Sequence, residues 1–145
     1  MKLIALCLTL AGVACAAKLT LKDLPAAVQK TVQENLNGGE IKAISKEAEK
    51  GVTQYEIESM LNGKHRDFNV DTKGGLVVME EETAIDSIPA AAKAGIIKKV
   101  ADGKLGMVES LTRRGKETLY EAAFTTKGGK KSSVLVKADG TPTKE

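Results

Sequence analysis

The sequence is poor in the residues from which catalytic and metal sites are usually made. Its 145 residues include one histidine, no tryptophan, two tyrosines, two phenylalanines, two cysteines and three prolines. A zinc site needs three or four converging ligands, drawn mainly from Cys and His. His65 stands alone, and Cys7 and Cys15 both fall close to the N-terminus, so neither a metal nor a cofactor is expected. His65 reads instead as an exposed polar residue beside a turn. Nucleophilic hydrolysis lacks its parts too. Ser45, Ser59, Ser110, Ser132 and Ser133 have no G-x-S-x-G setting, and one histidine would have to serve them all. Gly74-Gly75 and Gly128-Gly129 lead into neither a Gly-Lys-Ser/Thr nor a G-x-G-x-x-G pattern, which excludes the usual phosphate loops.

Excess charge of either sign is also missing. The chain has 22 Lys and Arg against 19 Asp and Glu, interspersed along its length. Nucleic-acid binding needs clustered cations, and single-strand binders add aromatic stacking platforms. The four aromatics, Tyr55, Phe68, Tyr120 and Phe124, fall on alternating positions that assign them to a core. Nucleic acid is therefore not an expected partner. Carboxylates are the one remaining acid–base resource: Glu56 and Glu58 share a strand face, and Glu80-Glu81-Glu82 form a run. Such pairs act in catalysis where a cleft shifts their pKa values. Glutamates on strand surfaces are ordinarily solvated, so the chain is read as not an enzyme.

What the N-terminus has is an export signal. Met1-Lys2 precede the apolar run Leu3 to Val13, and Ala14-Cys15-Ala16 supplies small residues for signal-peptidase cleavage before Ala17. The uncharged run ends at Lys18, short of the roughly 20 residues that a helical span requires. Gly12-Val13-Ala14-Cys15 also resembles a bacterial lipobox, which makes Cys15 a candidate lipidation site and a membrane anchor the alternative. Cleavage removes both cysteines, leaving a disulfide-free fold that depends on its core. A periplasmic or extracellular location follows.

The remainder repeats itself. Leu24-Pro25-Ala26-Ala27 returns 64 residues later as Ile88-Pro89-Ala90-Ala91, and the same offset maps Gly39 to Gly103, Ile44 to Val108 and Gly51 to Gly115. Slightly further on, Tyr55-Glu56 matches Tyr120-Glu121 and Val70 matches Val136. Each unit opens with a helix. Asp23 and Ser87 are the expected N-caps, Pro25 and Pro89 the first-turn residues. Stripes of Leu24, Val28, Val32, Leu36 and of Ile88, Ala92, Ile96, Val100 form the apolar faces. Asn37-Gly38-Gly39 and Asp102-Gly103 stop them.

Period-2 segments follow each helix: 40–48, 53–61, 64–70 and 76–81, then 104–112, 118–126, 130–137 and a weak last strand after Gly140. Asn62-Gly63 is a hairpin signal, and further turns fall at 71–75, at Arg114-Gly115 and at Lys127-Gly128-Gly129. The expected fold is α+β, in two tandem repeats, each one helix packed on an antiparallel meander of three to four strands. The expected boundaries are a signal peptide at 1–16 and units at 17–83 and 84–145.

The Leu/Ile-Pro-Ala-Ala helix, the Tyr-Glu strand and the Val-Asp-x-x-Gly-Gly close resemble the PepSY-like, β-lactamase-inhibitor-like (BLIP-like) exported bacterial proteins. That resemblance implies paired units that bind or inhibit other proteins, with no catalytic residues to carry over. With Tyr55, Ile57, Phe68 and Val70 facing the helix, the opposite face presents Gln54, Glu56, Glu58, Asp67 and Asn69 in the first unit. The second presents Glu121, Ala123 and Thr125, beside Leu119, Ser133 and Leu135. These are the expected binding residues. The expected function is a non-enzymatic binding module, an inhibitor or modulator of an envelope protein or peptidase, whose partner is an unknown protein or peptide. The alternative is a small ligand or lipid held in a groove between the repeats. Mass spectrometry of the exported protein should find Ala17 at its N-terminus; an acylated Cys15 would establish the anchored form instead.

Overall fold

Glycine-bearing turns and alternating apolar positions lay down seven strands in a computed structural model that describes residues 19–49 and 51–144. The expected leader, the expected cleavage point and Cys15 lie outside the described residues. The strands are β1 (Glu40–Glu49), β2 (Val52–Leu61), β3 (Lys64–Asp71), β4 (Leu76–Glu82), β5 (Lys104–Arg113), β6 (Leu119–Thr125) and β7 (Lys131–Lys137). Helix α1 (Ala26–Leu36) precedes β1, and α2 (Ala90–Val100) connects β4 to β5. All seven strands join one antiparallel sheet in chain order. The meanders are continuous, because β4 pairs directly with β5 from Val78 opposite Arg113 to Glu82 opposite Glu109.

Both helices lie on the same face of this sheet. Val28 and Val32 of α1 pack with Ile44, Tyr55, Ile57, Phe68, Val70 and Met79. Ala92, Ile96 and Val100 of α2 pack with Val108, Ala122, Phe124, Val134 and Val136. Cross-strand partners share a face. Met79 stands opposite Thr112, Ser110 opposite Tyr120 and Ala122 opposite Val134, which carries one face across the whole sheet. Phe68, Ile57 and Ile96 are fully buried there, each worth about 1.5–3 kcal/mol in area removed from water.

The helix starts differ from the expected caps. Each segment opens with a 3-10 turn, Leu21–Asp23 and Ile85–Ser87, and the α-helix begins only after Pro25 and Pro89, which occupy the N-cap positions. Asp23 is already engaged: the Thr20 backbone N–H (2.8 Å) and hydroxyl (2.6 Å) both donate to its carboxylate. Leu24 and Ile88 follow these turns in extended conformation, and both remain buried in the core. The second helix stops earlier than Asp102-Gly103, at Val100, with Ala101 at φ 49°. The weak last strand is reduced to a bridge between Val136 and Pro142 and a hydrogen bond from the Thr143 N–H to the Leu135 carbonyl (2.9 Å). Arg113 closes β5, and the turn follows it.

Two glycines let the turns after β3 and β7 touch the helices. Gly74 has φ +88°, and a Cβ there would lie 2.7 Å from the Ala27 carbonyl oxygen. Gly140 has φ +82°, and its Cβ would collide with the Ala91 carbonyl. Beside the first contact, the Thr31 hydroxyl donates to the Gly74 carbonyl (2.6 Å). Beside the second stands Gly95, whose added Cβ would meet the Gly140 carbonyl. In an open helix interior, Gly to Ala gains about 1 kcal/mol. Here that sign is reversed: Gly95→Ala should destabilise by about 1–3 kcal/mol through overpacking. Gly128→Ala, with open space around it, should stay within about 0.5 kcal/mol. Urea unfolding of the two variants measures the contrast.

Candidate functional site

The face opposite the helices takes its side chains from alternate residues of every strand. Glu56 stands opposite Ser45 on one side and Asn69 on the other, and Asn69 opposite Val78. Farther across, Glu82 faces Glu109 and Glu109 faces Glu121, which faces Leu135. Gln54, Glu56, Glu58, Asp67 and Asn69 thus fall together on β2 and β3, while Glu121, Ala123 and Thr125 fall together on β6. All eight share this face, in two groups separated by β4 and β5. Gln54 is only 7% exposed, so it supports the face rather than offering a contact.

The intervening strands supply residues that sequence reasoning missed. Val78 and Leu111 are 5% and 1% exposed although they point away from both helices, and neither belongs to a helix-side cluster. Their neighbours on the open face close over them. The Glu80-Glu81-Glu82 run divides by strand alternation. Glu80 and Glu82 take the open face, while Glu81 pairs with Arg66 (2.7 Å) on the helix side. Arg66 also donates from Nε to the Asn35 carbonyl (3.1 Å), tying β3 to α1.

Crowding of half-buried carboxylates sets the electrostatics. Burial pushes Glu56 up, and neighbouring Glu47 adds to it against a hydrogen bond from the Ser45 hydroxyl (3.1 Å). Burial likewise raises Asp67, although the Ser59 N–H (2.8 Å) and His65 oppose it. His65 is exposed, with Nδ1 3.8 Å from the Asp67 carboxylate. Glu109 is raised first by burial, then by the charges of Glu121 and Asp67. Because Asp67 acts on Glu109 from two strands away, the acids of the two halves form one electrostatic unit. Among the described residues, no three His, Cys, Asp or Glu side chains are placed to hold a metal ion.

At one end of the face the charge changes sign. Arg113, Lys116, Glu117, Leu119, Lys137 and Thr143 line an open cleft of about 380 Å³. Lys137 is bonded to Glu117 (2.9 Å), which holds its ammonium above the usual lysine range. The cleft lies at the ends of β5, β6 and β7. It does not lie between the two halves, where β4 and β5 are hydrogen-bonded to each other.

A helix-backed antiparallel sheet with one uncovered face defines the fold class, and solved structures share it. No family model matches the chain, and no curated protein matches it either. A candidate periplasmic protein from Bacteroides eggerthii superimposes with TM-score 0.69 at 15% identity, covering 83% of this chain and 86% of that one. A DUF2874-family protein from Bacteroides uniformis gives 0.68 at 14% identity over 83% and 86%. A BLIP-like protein from Bacteroides fragilis gives 0.62 at 18% identity over 83% and 84%. The BLIP-like fold implied by the Pro-Ala-Ala and Tyr-Glu motifs is therefore present.

The carboxylates give stability a pH dependence. Unfolded, they titrate near 4.5 for Glu and 3.8 for Asp; folded, they hold protons more tightly. Their favourable contribution is complete below those values and is lost as pH rises through the higher folded ones. Tm should fall as pH rises above about 4.5, and Glu56→Gln combined with Glu109→Gln should flatten that slope. An unchanged slope in differential scanning calorimetry would count against the assignment.

Proposed function

We propose that the chain is a non-enzymatic binding module of the cell envelope or exterior that engages a protein or peptide through the open sheet face. The observation that carries this reading is a seven-stranded face with no helix on it among the described residues, holding half-buried carboxylates around Val78 and Leu111. Ionised groups kept this close are costly to the fold, which argues for retention by a partner rather than by stability. A partner-binding role as inhibitor or modulator draws support from the description of the Bacteroides fragilis structure as BLIP-like. The export leader supports an envelope location, as does the candidate periplasmic assignment of the Bacteroides eggerthii structure. No helix among the described residues is long and apolar enough to cross a membrane.

We further infer that residues 17–83 and 84–145 are two copies of one PepSY-like unit. Support comes from matched pairings: Tyr55 opposite Val70 corresponds to Tyr120 opposite Val136, and Ile57 opposite Phe68 to Ala122 opposite Val134. The turn contacts of Gly74 with Ala27 and Gly140 with Ala91 correspond in the same way.

Site-specific photo-crosslinking in the native host tests the face. A photoreactive residue at Glu58 or Ala123, both exposed on the open side, should give a discrete adduct, while the same group at Lys30 or Ala94 on the helices should not. Adducts confined to the helix positions, or absent from all four, would reject the reading.

A further inference from the structure

The cationic cleft and the acidic part of the open face lie at opposite ends of a short apolar step. Arg113 and Glu109 are on the same side of β5, four residues apart and thus roughly 13 Å from one another. Between them Leu111 stands opposite Leu119, which in turn faces Lys137. Beyond them Glu109 lies between Glu82 and Glu121. With Leu111 itself buried, the surface along these strands runs from cations through Leu119 to carboxylates. The cleft holds three cations against the single carboxylate of Glu117, and that carboxylate is already bonded to Lys137. Arg113 and Glu121 each have an interaction within the protein; Lys116 adds a second cation beside Arg113 in the cleft.

A ligand matching this order carries an anion at one end, an apolar middle and a cation about 13 Å away. An extended peptide advances about 3.3–3.6 Å per residue, and its free termini supply one charge of each sign. We propose that the cleft takes the carboxyl end of a short, free-ended peptide of about four residues, which passes over Leu119 and sets its amino group at Glu109. This inference rests on the open face being the binding face, and it identifies the occupant of the β5–β7 part of that face as a short free-ended peptide. An ammonium at Glu109 would also relieve the repulsion that Glu121 and Asp67 impose there.

Calorimetric titration of the purified protein at low ionic strength with Ala-Leu-Leu-Ala tests it. The free peptide should bind, and C-terminal amidation or N-terminal acetylation should each weaken binding by about two- to fivefold, as for a solvent-accessible ion pair. Lys116→Glu, in an exposed turn, should erase the effect of amidation and leave that of acetylation. The isosteric Glu109→Gln should do the reverse. Equal binding of the three peptides, sensitivity to amidation alone, or no binding at millimolar peptide would overturn the proposal. The crosslinking pattern uses no added peptide and decides the face separately: adducts at Glu58 and Ala123 with no peptide binding would reject the peptide but not the face.

Discussion

Direct pairing of β4 with β5 is the constraint from which the rest of the architecture follows. Each meander has one helix to cover one face, and nothing local dictates how two such halves should meet. Once Val78 aligns with Arg113 and Glu82 with Glu109, strand alternation is locked across all seven strands. Both helices must then fall on one side, and the opposite side is left bare as a unit. A shift of one residue in this register would turn the second core outward. The same pairing brings Asp67 and Glu109 within electrostatic reach and places Leu111 under the cover of its neighbours.

A bare face of this kind sets folding against binding. Tyr55, Phe68, Ile96 and Phe124 secure the helix side, so the other side can tolerate carboxylates whose charges oppose one another. Asp67 illustrates the compromise. It accepts the Ser59 N–H and neighbours His65, yet burial still raises its pKa. Groups held in this way answer to whatever arrives: a cation lowers their energy, and an anion is turned toward the cleft at Arg113, Lys116 and Lys137. Specificity here would come from the order of charges along the strands more than from apolar area, since the described face has few large hydrophobic side chains to desolvate.

Much of this was legible from residue order. The alternation of Tyr55, Ile57, Phe68 and Val70 located the core and, by exclusion, assigned Glu56, Asp67 and Glu121 to the far face. Local hydrogen bonding explains what was misplaced. Asp23 resembles an N-cap, but Thr20 claims its carboxylate, and the helix starts past Pro25 instead. The contributions of Val78, Glu82, Glu109 and Leu111 were out of reach for a different reason. They depend on a pairing between strands separated by a whole helix, and no turn signal records that pairing. The cleft was missed because it gathers the ends of three strands together with Thr143 beyond the last of them, a convergence that no single motif records.

In the two-unit reading, the cleft also shows how duplicated scaffolds come to differ. Leu119 opposite Lys137 corresponds to Gln54 opposite Asp71. In the first unit Asp71 is consumed by its own turn, accepting the N–H groups of Lys73 (2.7 Å) and Gly75 (2.9 Å), and Gln54 is buried. At the matching place in the second unit the turn closes through Asp139, which accepts the Thr141 N–H (2.8 Å). Moving the turn-closing carboxylate two residues along releases the strand end, and a lysine can stand there with Glu117 as its partner. Scaffold positions such as Pro25 and Pro89 have little freedom, because the helix start and the core depend on them. A strand-end residue whose structural duty has passed to its neighbour is free to reverse its charge, and that reversal separates the two halves of the open face.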